Sequence, residues 1–104
     1  MLNEKILDVI THEKNDRDKA IFLFSLMQTL FELKNIEKVT SVYLYFNEKL
    51  EIYVFTKDED TEIEEKIIYS IAQWESEQKY FPETYIRIEG EEINELPRGA
   101  FRIW

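Results

Sequence analysis

The sequence has no cysteine, only two glycines and two prolines, and a single histidine. Without cysteine there is no disulfide, no thiol nucleophile and no thiolate metal site, a composition suited to a reducing compartment. The glycines stand at Gly90 and Gly99, which leaves no Gly-rich phosphate loop and no EF-hand loop in the acidic stretch before them. A lone histidine cannot build a histidine-based metal site, and His12 reads as a surface residue of a helix. No serine occupies a G-x-S-x-G elbow. Basic charge is scarce too: 13 Lys and Arg stand against 22 Asp and Glu, a net charge of −9. A phosphate backbone calls for a basic stripe, and none is present, so nucleic acid is not an expected partner. The longest apolar stretch begins at Ala20 and runs to Phe31 with polar interruptions. That is short of the roughly 20 apolar residues needed to span a bilayer. Residues 1–19 are charged throughout and carry no signal-peptide core. The expectation is a soluble, cytoplasmic protein with no membrane partner.

What is present points to a folded chain. Of 104 residues, 44% are apolar and fifteen are Phe, Tyr or Trp, enough to build one core over residues 1–104 as a single domain. The acid is unevenly placed. Residues 57–95 carry thirteen acidic and four basic side chains, whereas residues 1–56 together are nearly balanced.

Periodicity predicts the elements. Leu2, Ile6, Leu7, Val9 and Ile10 share one arc of a short helix over 2–12. Asn15 and Asp16 supply cap residues for a second helix over about 16–34. Its apolar residues fill an arc of roughly 200°, twice what one packed layer hides, so it must meet two things. VTSVYLYF and LEIYVF, residues 39–46 and 50–56, read as strands. A three-residue loop, Asn47-Glu48-Lys49, pairs Phe46 with Leu50, Leu44 with Ile52 and Val42 with Val54 on one face. Thr61 and Glu64 have capping-box spacing at the start of a third helix over 61–79, and Pro82 blocks its continuation. Tyr85–Ile88 reads as a strand, and Phe101–Trp104 as an edge strand or docked tail. The order α-α-β-β-α-β(-β) predicts an α+β two-layer sandwich, a three- or four-stranded mixed sheet with helices mainly on one face.

Three constellations carry functional expectations. Asp58 and Asp60 form a D-x-D step just after a strand, which resembles nucleotidyltransferase-like domains, though that family's Gly-Ser step is absent. These carboxylates are weak metal candidates; acids also crowd a helix start because they complement its dipole. Tyr43, Tyr45, Tyr53, Phe55 and Tyr85 define an aromatic sheet face suited to a protein partner. Phe22, Leu26, Leu30 and Leu33 mark the second helix as a homodimer contact. With no catalytic constellation and no cofactor motif, the reading is a non-enzymatic protein–protein interaction or oligomerisation module, with an acidic inhibitor or antitoxin-like binder as a variant. The alternative is a divalent-metal phosphotransfer or nucleotidyltransferase-like enzyme on Asp58 and Asp60.

Overall fold

The computed structural model describes residues 16–90 and 96–104. They form helix α1 (Asp16–Glu32), a 3-10 turn (Leu33–Asn35), strands β1 (Val39–Phe46) and β2 (Leu50–Thr56), helix α2 (Thr61–Gln78), and strands β3 (Glu83–Ile88) and β4 (Phe101–Arg102). The sheet is four-stranded and mixed, in the order β3-β2-β1-β4. β2 and β3 run parallel; the other two pairs are antiparallel. This is the α+β order read from the sequence. The helix predicted over 2–12, with His12 and the Asn15 cap, lies outside the described residues.

The hairpin takes the predicted register: Phe46 pairs with Leu50, Leu44 with Ile52 and Val42 with Val54. These residues join Phe22, Leu26, Leu30 and Leu33 and the α2 stripe Ile63, Ile67, Ile71 and Trp74 in one hydrophobic core. Alternation along a strand would turn Val39 to the opposite face from Val42. An irregularity between Val39 and Ser41 prevents this. Thr40 is the extra residue, its hydroxyl donates to the Phe55 carbonyl (3.2 Å), and Val39 packs against the core.

Polar links close the joins between elements. The Trp74 indole N–H donates to the Ser25 hydroxyl (2.9 Å), which donates to the Phe22 carbonyl (2.9 Å), tying α2 to α1. Phe22, Trp74 and Tyr80 meet edge to face. The Leu50 N–H donates to the Tyr80 hydroxyl (3.1 Å), so the segment after α2 holds the start of β2. The Trp104 indole donates to the Leu30 carbonyl (2.8 Å) and Ile103 N–H to the Val42 carbonyl (2.8 Å), which seats the last residues against α1 and β1.

Two local expectations are corrected. The cap of α2 is Asp60, not Thr61: the Asp60 carboxylate accepts from the Glu62 and Ile63 N–H groups (3.1 and 3.3 Å). Thr61 is the first helical residue. The helix also stops before proline acts. Lys79 turns left-handed (φ 57°) and its N–H returns to the Glu75 carbonyl (2.8 Å).

Two hydroxyls yield opposite predictions. Ser25→Ala strands the buried Trp74 N–H and lowers unfolding free energy by about 1 kcal/mol. Thr84 shares a sheet face with Ile52, and its buried hydroxyl has no partner among the described residues. Thr84→Val therefore raises unfolding free energy by up to about 1 kcal/mol. Denaturant midpoints moving in the same direction for both would contradict this assignment. Lys79→Gly relieves the left-handed residue and stabilises by about 1 kcal/mol in the same assay, whereas an unchanged midpoint would mean that the residue carries no strain.

Candidate functional site

The acidic corner at the start of α2 is built around a lysine. Lys38 sits in left-handed backbone (φ 70°) just before β1, and its carbonyl accepts from the Lys57 N–H (2.9 Å). This brings its ammonium 3.0 Å from Asp60 and 3.3 Å from Asp58. Lys38 first, then the Ile63 N–H, holds the Asp60 carboxyl below the usual carboxylate range. Asp60 and Asp58 in turn raise Lys38 above the usual lysine range. The two carboxylates expected to face a metal thus converge on an internal cation, and one of them also caps a helix. A divalent ion there would have to displace Lys38. Among the described residues no three acidic or histidine side chains gather as a metal-binding group.

On the aromatic face the rings pack in pairs, and the Tyr53 and Tyr85 hydroxyls are satisfied within the chain. Tyr53 stacks on Tyr85 with ring centroids 4.9 Å apart, and Tyr43 meets Phe55 edge to face at 5.6 Å. Tyr53 donates to Glu51 (2.7 Å), Tyr85 donates to Glu83, and the Arg87 guanidinium lies 5.0 Å from the Tyr85 ring centre. Burial, with Glu51 alongside, holds the Tyr53 hydroxyl well above the usual phenol range. Glu83 does the same for Tyr85, which holds Glu83 below the usual carboxylate range. The face is not uniformly open. Phe55 is 1% and Tyr53 8% exposed, so only Tyr43, Tyr45 and Tyr85 keep part of their surface in solvent.

α1 divides its wide apolar arc in two. Phe22, Leu26, Leu30 and Leu33, assigned from sequence to a dimer contact, lie in the core of the chain itself, because this half of the arc meets the sheet and Trp74. The opposite side carries Ile21 (50% exposed), Phe24 (73%) and Phe31 (42%). Phe24, Met27, Gln28 and Phe31 line a shallow apolar groove there. Lys34 lies over the Phe31 and Trp104 rings at one end of it. Sequence reasoning detected the excess of apolar surface but assigned the wrong half of it to the outside. The spacing of Ile21, Phe24, Gln28 and Phe31, alternately three and four residues, is the signal that a second stripe runs along this helix.

Among the described residues no helix is long and apolar enough to cross a membrane. No family model, curated protein or solved structure matches the chain.

The corner sets a pH dependence. Asp60 is lowered in the folded state, so its contribution is complete above its unfolded value near pH 4 and is lost as pH falls through the folded value. Asp60→Asn keeps a capping oxygen but not the charge. The variant is expected to unfold at lower denaturant than the unsubstituted chain near pH 7, and the gap is expected to narrow as the solution is acidified below about pH 4, through the lowered Asp60 value. A gap independent of pH would mean that the Lys38 contact contributes nothing.

Proposed function

We propose that the chain is a non-enzymatic protein–protein interaction module that works as a homodimer and presents the outer stripe of α1 to a protein partner. The observation that supports this most is Phe24, a large aromatic left in water at the centre of that stripe. Contiguous apolar surface on a small acidic protein marks a contact surface. The charge pattern supports the same place. Arg17–Asn35 carries three basic and two acidic side chains, while most of the acid lies in residues 57–95. A partner reaching α1 meets little of the net −9.

A second reading is an acidic inhibitor that masks a basic protein. Exposed Asp58, Glu59, Glu62 and Glu65 around the start of α2 favour it. An electrostatic mask needs no exposed phenylalanine, which is why the stripe favours the first reading.

Phe24→Glu tests the stripe, since the side chain is exposed and its replacement leaves the core intact. With the tagged chain as bait in lysate of its own cell, a defined protein retained by the unsubstituted chain is expected to be released by the variant. Identical retained proteins would overturn the role of the stripe. Light scattering in the micromolar range is expected to give twice the 12.7 kDa of one chain. A mass of 12.7 kDa at every concentration would refute the homodimer.

A further inference from the structure

β3 ends the sheet: among the described residues it has no neighbour beyond β2. The Glu89 N–H donates to the Thr56 carbonyl (2.8 Å). Backbone groups alternate in direction along a strand, so Arg87, Tyr85 and Glu83 turn theirs toward β2. Thr84, Ile86 and Ile88 turn their N–H and C=O groups outward, where the Ile86 carbonyl takes only a long contact (3.4 Å) from Arg87. The other end of the sheet closes differently, with β4 only two residues long.

We infer that this edge pairs with β3 of a second copy, antiparallel and centred on Tyr85, to make one continuous eight-stranded sheet. The inference rests on the homodimer reading and gives it a surface. Two observations carry it. First, the register centred on Tyr85 places Thr84 opposite Ile86 of the partner subunit, so outward groups meet outward groups in both halves of the pair. Second, it is self-complementary in charge. Glu83 and Arg87 lie on one face, two residues to either side of Tyr85, so Glu83 comes opposite Arg87 of the partner subunit, and the reverse pair repeats this. Shifting the centre to Ile86 instead sets Glu83 against Glu89 of the partner subunit. Among the described residues each chain has one edge of this length, so the assembly closes at two copies instead of growing into a fibre.

Charge substitution and cross-linking test the register. Glu83→Arg and Arg87→Glu each place like charges opposite one another, and each is expected to sediment as a monomer where the unsubstituted chain is a dimer. Mixing the two variants pairs opposite charges at both positions and is expected to restore a dimer containing one of each. Tyr85→Cys puts the only cysteine of the chain at the two-fold axis, in a non-hydrogen-bonded pair with Cα atoms about 4.5 Å apart, within disulfide range. It is expected to give a covalent dimer under mild oxidation. Phe24→Glu is expected to leave the dimer unchanged. A dimer that survives both charge variants, fails to cross-link at position 85 or dissolves with Phe24→Glu overturns the edge while leaving the homodimer standing. A monomeric unsubstituted chain at every concentration overturns both.

Discussion

The pairing of Phe46 with Leu50 across Asn47–Lys49 is the constraint on which the other elements depend. Strand side chains alternate with period two, so this one register decides that Val42, Leu44, Ile52 and Val54 turn to one side and Tyr43, Tyr45, Tyr53 and Phe55 to the other. A slip of one residue would put Glu51 against the helices. With the faces set, the helices have a surface to cover, β3 adds in parallel to β2 and β4 in antiparallel to β1. The Thr40 irregularity lets the strand keep this assignment to its first residue by returning Val39 to the core.

Directional contacts stand where apolar packing alone would leave freedom to slide. Trp74 with Ser25 fixes one helix against the other. Tyr80 with Leu50 fixes the end of the crossover against the hairpin. Lys38 with Asp60 fixes the start of β1 against the start of α2. Each joins residues far apart in sequence, and each sits at the margin of the core, where the polar partner is satisfied without a fully buried charge.

This explains which features were legible in the sequence. The hairpin register and both helices follow from local periodicity and turn length, and the parallel third strand from the strand–helix–strand order; for Phe101 and Arg102 the sequence left an edge strand and a docked tail open, and the pairing with Tyr43 and Leu44 decides for the strand. The cap of α2 does not. Asp60 and Thr61 are both capping residues by type, and what favours Asp60 is the Lys38 ammonium, 22 residues earlier. The inner half of α1 was equally hidden. Leu26 and Phe24 are both apolar residues on one helix, and only the position of Trp74 and the sheet turns the first inward and leaves the second out. The aromatic face was read as a surface because its residues alternate with the core. Alternation reports that Phe55 points away from the helices, not whether anything lies over it.

Closing that second face changes where the chain can offer contact. With Tyr53 and Phe55 buried, the aromatic face presents, among the described residues, only the partly exposed Tyr43, Tyr45 and Tyr85. What remains are strand edges and the backs of helices. One sheet end finishes in a two-residue strand, and the acid collected around α2 discourages association at that end of the helix. The outer stripe of α1 escapes both restrictions; the edge of β3 escapes the first, with Glu59 and Glu64 beside its far end. Their chemistry differs. The edge offers ordered backbone groups and a charge pair that repeats under a two-fold axis, which suits an identical strand. The stripe offers apolar area without matched charge, which suits a partner of different sequence. On the proposed reading the two surfaces would be complementary in role: the edge would set the copy number, and the stripe, displayed twice by such a dimer, would offer a partner two sites instead of one.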